Sequence, residues 1–141
     1  MEQDNFLTGR RAARRSALQV LYEIDSVGHS WEDVVGRFKS VNDLSGEDFV
    51  FAQELLNGVR ANSGYIDELI SRFAQSWPMD QLSLVDRSLL RLAVFELVIY
   101  GESPYRVVIN EAVELAKSFG SENSSKFVNG VLGSVVAAAK T

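Results

Sequence analysis

The chain has 141 residues, 46% of them hydrophobic, which suits one globular unit with a substantial core, in one lobe or two, and leaves no case for disorder. With no cysteine and the single histidine His29, it excludes a disulfide framework, a thiolate zinc site, a cysteine nucleophile and a multi-histidine metal centre. The net charge of −5 argues against nucleic acid only as a sum: residues 5 to 20 hold Arg10, Arg11, Arg14 and Arg15, one aromatic (Phe6) and no acid, whereas residues 21 to 80 carry eleven acids against four bases.

In chain order, helical punctuation recurs and period-two alternation is almost absent, so the expected fold is all-α. A first helix over about Thr8 to Val27 carries Ala17, Leu18, Leu21, Tyr22 and Ile24 and stops near Gly28. Ser30 with Asp33 resembles a capping box and opens a second helix bearing Trp31, Val34, Val35 and Phe38. Ser45 with Asp48 repeats the signal for a third, with Phe49, Ala52, Leu55, Leu56 and Val59. Asn62-Ser63-Gly64 precedes a fourth with Tyr65, Ile66, Leu69, Ile70 and Phe73, and Trp77-Pro78 interrupts the pattern. Ser83 with Asp86 starts a fifth, apolar from Leu89 to Leu97 and ending at Gly101.

The sixth and seventh helices lie in PYRVVINEAVELAKSFGSENSSKFVNGVL, from Pro104 to Leu132. Pro104 is preset for a first turn behind a capping Ser103, and Gly120 suits a C-terminal stop. Val108, Ala112, Leu115, Ala116 and Phe119 form one stripe; Phe127, Val128, Val131, Leu132 and Val135 form the next. Short connections favour antiparallel neighbours. The lobe boundary is expected at Pro78 to Gln81, giving an N-terminal subdomain of about 1–78 and a C-terminal one of about 79–141. The N-terminus lacks the uninterrupted apolar core of a secretory signal, and the run Leu92 to Tyr100 is broken by Glu96 and too short to span a bilayer, so a soluble cytoplasmic protein is expected.

Each candidate site has a functional and an architectural explanation. On a helix, Arg10, Arg11, Arg14 and Arg15 span roughly 140° and can grip a phosphate backbone, or form a solvated face paired with nearby acids. Arginines near a helix N-terminus oppose its dipole, which makes a functional reason for them more plausible. The polar tip Ser121 to Lys126 either offers anions the open N–H groups of the last helix or is plain capping by Asn123 or Ser124. Phe73 and Phe127 are stacking platforms for unpaired bases or ordinary core residues. Asp86, Arg87, Arg91, Glu96 and Glu111 read as interhelical ion pairing, since no nucleophile, phosphate loop or metal spacing accompanies them.

The residues also carry a resemblance. Arg14 followed by Ala17-Leu18-Gln19-Val20-Leu21-Tyr22, the segment Asp86-Arg87-Ser88-Leu89-Leu90-Arg91 with Glu96-Leu97, and above all NEAVELAKSFG followed by KFVNGVL are similar to the NusB family of bacterial transcription antitermination factors, along essentially the whole chain. The resemblance implies an all-helical fold of two subdomains, no enzymatic activity and no cofactor. It implies binding of single-stranded boxA RNA together with NusE, the small-subunit ribosomal protein, in an RNA polymerase complex with other Nus factors that suppresses termination, notably in ribosomal RNA operons. It assigns RNA contacts to Arg10, Arg11 and Arg14, to Phe73, and to Phe119, Glu122, Asn123, Ser124, Lys126 and Phe127 at the tip. Tyr22 and Asp86 are the expected NusE contacts. Asn123 stands where family members can carry aspartate, and an amide repels phosphate less. The segment from His29 to Gly46 shows no specific match, and some members form homodimers. Two rival classes are an RNA cytosine methyltransferase, for which the sequence to Thr141 holds no strand–glycine loop, and a helical adaptor whose arginines bind an acidic protein.

Overall fold

The computed structural model describes residues 2–75 and 77–139, with side chains from residue 9 onward; Phe6 therefore lies outside the described side chains. Among the described residues all regular structure is helical: α1 (Glu2–Val27), α2 (Trp31–Val41), α3 (Gly46–Ala61), α4 (Ser63–Phe73), α5 (Leu84–Val94), α6 (Tyr105–Phe119) and α7 (Ser124–Ala139). A 3-10 turn occupies Met79–Gln81 and a π-helical turn Phe95–Tyr100. No described helix is long and apolar enough to cross a membrane.

The three serine start signals act as local chemistry demands. Ser30, Ser45 and Ser83 each accept, through Oγ, the N–H of the residue three further on, at 3.1, 3.3 and 3.1 Å, which satisfies one of the open donors of each first turn. Helix α1 begins earlier than the apolar stripe indicates, at Glu2. Arg10 then lies two turns inside, where the dipole has little effect, so the penalty expected for these arginines largely disappears. At α6, Pro104 rather than Ser103 is the cap residue, and its carbonyl accepts from both Val107 and Val108 at 3.0 and 3.2 Å.

The chain folds as two compact units, Met1–Asn57 and Gly58–Thr141, so the division falls inside α3. The boundary read from the sequence at Pro78–Gln81 differs for a physical reason. The stripe of α4, with Ile66, Leu69 and Ile70 no more than 6% exposed, is buried by packing on α5 and α7. Asp67 of α4 is also gripped by Arg91 of α5, whose Nε and Nη2 donate to its two oxygens at 2.9 and 3.0 Å. Trp77-Pro78 ends a helix without ending a core.

In the first unit α2 packs on α1. Glu23 of α1 accepts from both guanidinium nitrogens of Arg37 and has His29 Nδ1 2.8 Å away. The Arg37 hydrogen bond, then that of His29, holds the Glu23 carboxyl below its usual value of 4.5. In the second unit α5 is the hub, touching α4, α6 and α7, and Leu89, Leu90, Val94, Val128 and Leu132 are essentially sealed from solvent.

The fifth helix does not run uniformly to Gly101. Phe95–Tyr100 is wound as a π turn, and Gly101, at φ 67°, returns its N–H to Glu96 at 3.1 Å. Phe95, the first residue of this turn, lies with its ring against Gly58. A Cβ there would lie 2.0 Å from ring carbon Cζ.

Candidate nucleic-acid interface

In the first unit the candidate residues are the arginines of α1. Arg10 and Arg14 are one helical turn apart and lie over the same ring, Phe51 of α3, with their Cζ atoms 4.1 and 5.1 Å from its centroid. Arg10, Arg11 and Arg15 are exposed, whereas Arg14 is only 8% exposed. Arg14 therefore backs this cationic face more than it projects from it. Small residues allow the close approach: Ala13 and Ala17 are fully buried, and a Cβ on Gly9 would come within 2.8 Å of the Asp48 carboxylate in the first turn of α3. Tyr22, further along α1, is 41% exposed.

In the second unit the tip between α6 and α7 is wound around one hydroxyl. Ser124 Oγ accepts the Ser121 N–H at 2.9 Å and lies 3.2 Å from Ser121 Oγ, while the Ser124 N–H donates to the Ser121 carbonyl at 3.1 Å. Ser124 is 1% exposed, so its side chain holds the tip together from within and offers almost nothing outward. The Phe127 N–H donates to the Asn123 carbonyl at 3.1 Å, which makes the Asn123 backbone the start of α7. Gly120 is not left-handed, at φ −93° and ψ −173°. Its need for glycine is steric, since a Cβ would sit 2.5 Å from Ser124 Oγ and 2.8 Å from the Ala116 carbonyl.

What this winding leaves outward is Glu122, Asn123 and Lys126, all exposed, with Phe119 39% exposed and Phe127 half-buried. Phe73 is also half-buried, at the last position of α4. Asn123 and Phe127 border an open cleft of about 260 Å³, also lined by Asp86 from the first turn of α5 and by Trp77 and Gln81 from the preceding segment. Asp86 is 9% exposed, and its Oδ1 accepts no hydrogen bond from any described residue. Burial without a partner is costly for a carboxylate oxygen, so Asp86 is a point of local strain at the wall of the cleft.

Two residues were not singled out as site residues in the sequence, one in each unit. Phe51 stands four residues before Leu55 and so lies in the α3 stripe, a signal available in the periodicity. Trp77, 51% exposed at the cleft, showed itself only as half of a helix break. Within the second unit, the structure brings Asp86 together with Asn123 and Phe127.

Residues 11–137 match the NusB family. The chain is 49% identical over 128 residues to the transcription antitermination protein NusB of Dehalococcoides mccartyi (strain CBDB1), covering 91% of this chain and 90% of the relative. Among solved structures it is similar to T. maritima NusB, with a TM-score of 0.83 and 34% identity over 91% of this chain and 90% of that one. It is also similar to a chain in a crystal structure of the antitermination factors NusB and NusE in complex with dsRNA, with a TM-score of 0.78 and 30% identity over 92% of this chain and 96% of that one. The fold, the tip and a match of this depth along nearly the whole sequence lead to one conclusion: the chain belongs to the NusB family.

Proposed function

We propose that the protein is a transcription antitermination factor that binds single-stranded boxA RNA together with NusE and suppresses termination, notably in ribosomal RNA operons. It works by binding and is not an enzyme. The observation that carries the reading is the similarity to a NusB solved with NusE and RNA, joined in this chain to two surfaces of suitable chemistry. Arg10 and Arg11, backed by Arg14, supply charge for the RNA backbone. Phe127 and Phe119, with Phe73, supply faces on which unpaired bases stack, and Asn123 and Lys126 supply donors beside them. Glu122 limits how much phosphate the tip tolerates. Tyr22 and Asp86 are assigned to NusE, Tyr22 being exposed and Asp86 lying at the wall of the cleft. In the cell this protein would stand with RNA polymerase and other Nus factors.

An acidic body repels RNA everywhere outside these patches, so binding by the protein alone should be weak and NusE should strengthen it. The test is a salt-titrated binding measurement with boxA RNA and a scrambled control, each with and without NusE. Three or four phosphate contacts predict a log–log slope of about −2 to −3. Equal affinity for the scrambled RNA with NusE present, or unchanged binding after joint Arg10→Ala and Arg11→Ala substitution, would overturn the reading in favour of a protein adaptor.

A further inference from the structure

We propose that Phe51 is a positioning residue for RNA binding, acting through Arg10 and Arg14; the inference rests on the reading of that face as an RNA surface. Phe51 is 2% exposed and cannot touch RNA itself. Its ring nevertheless lies under two guanidiniums, at 4.1 and 5.1 Å. Two like charges one turn apart on a helix repel each other, and the negative face of an aromatic ring offsets that repulsion as an aliphatic side chain of similar size cannot.

Attraction to a ring uses none of a guanidinium's N–H donors, so the exposed Arg10 can be held by Phe51 and still donate to another acceptor, with Arg14 behind it adding charge. A free arginine loses much rotamer freedom when it grips a phosphate, and one already seated on a ring loses less. The platform is itself fixed in register. Asp48, three residues before Phe51, accepts from the Ser45 hydroxyl at 2.9 Å and meets α1 at Gly9, the residue next to Arg10. Thus α3 meets α1 twice in succession, at Gly9 and at Arg10, and the ring cannot slide along the helix without carrying the carboxylate with it.

The experiment measures binding of a labelled boxA oligonucleotide to the full chain, across a salt series, for Phe51→Leu, Phe51→Tyr, Arg10→Ala and the Phe51→Leu/Arg10→Ala double variant. Phe51→Leu is expected to weaken binding about three- to tenfold, within the range of cation–π attraction at partly exposed sites, with the salt slope retained because both charges remain. Phe51→Tyr keeps the ring and should bind within about twofold of the parent. In the Arg10→Ala background, Phe51→Leu should cost much less than in the parent. A fluorinated phenylalanine at position 51, which keeps the shape and drains the π face, should reproduce the loss without disturbing the fold. Parent-like binding by Phe51→Leu or by the fluorinated protein, while Arg10→Ala weakens binding, overturns the proposal. So does an equal Phe51→Leu loss in both backgrounds, which marks a general packing defect. If Arg10→Ala itself binds like the parent, the RNA reading of this face fails, and the positioning role with it.

Discussion

Gly58→Ala should destabilise this protein, although alanine is the better helix former. Gly58 lies within α3, where the exchange alone gains up to about 1 kcal/mol. The new Cβ, however, would be 2.0, 2.1 and 2.7 Å from the Cζ, Cε1 and Cε2 atoms of Phe95. Carbon atoms in contact prefer about 3.5–4.0 Å, so the ring must retreat by about 1.5 Å. Phe95 is 6% exposed and opens the π turn, with its ring centroid 6.2 Å from that of Tyr100, so there is little room for it to do so. Overpacking of this kind costs about 1–3 kcal/mol or more, and the overlap with a rigid ring places this case at the upper end. The net loss expected is about 1–3 kcal/mol, or a fall in Tm of about 3–10 °C for a chain of this length. Thermal and urea unfolding measure it. Gly130→Ala is the internal comparison: that glycine lies within α7 with open space where a Cβ would be, so the same exchange should raise stability by up to about 1 kcal/mol. Phe95→Leu should cost less in the Gly58→Ala background than alone, because the smaller side chain relieves the collision. A Gly58→Ala protein that melts at or above the parent would refute this account of the π turn.

Two further outcomes are expected. Arg91→Lys keeps the charge but loses the two-pronged grip on Asp67, and should cost about 1–2 kcal/mol in urea unfolding; parent-like stability would mean that the α4–α5 tie is not built on the fork. Glu23 has a lowered pKa in the folded state, so its pairing with Arg37 and His29 stabilises the protein above the unfolded value near 4.5 and is lost as pH falls through the folded value. Glu23→Gln should accordingly melt slightly below the parent at neutral pH, with the gap closing in melts below about pH 4.5; a constant gap across pH would show that the effect is not ionic.

What the sequence disclosed was local chemistry. A serine and the N–H three residues on need no distant partner, so the starts at Ser30, Ser45 and Ser83 could be read directly. Residues shared with a known family could be read as well, and they carried the family assignment. What depended on other elements was hidden. FELVIY continues an apolar helix to the eye, and nothing in its periodicity marks the π turn or the seat of Phe95 against Gly58, 37 residues away in the chain. Ser124 reads like its neighbours Ser121 and Ser125, yet the chain reversal at Gly120 turns its hydroxyl inward. The orphaned oxygen of Asp86 could not be foreseen, because a capping position says nothing about which neighbours close around the side chain.

The tip between α6 and α7 separates shape from content. Gly120, Ser121 and Ser124 hold the curve through contacts with one another, while Glu122, Asn123 and Lys126 face outward without holding it. The outward three can therefore be rewritten freely, by drift or by design, on a loop that will not change its path. Gly120, Ser121 and Ser124 could be transplanted together onto another helical hairpin, where the same path would carry different outward residues.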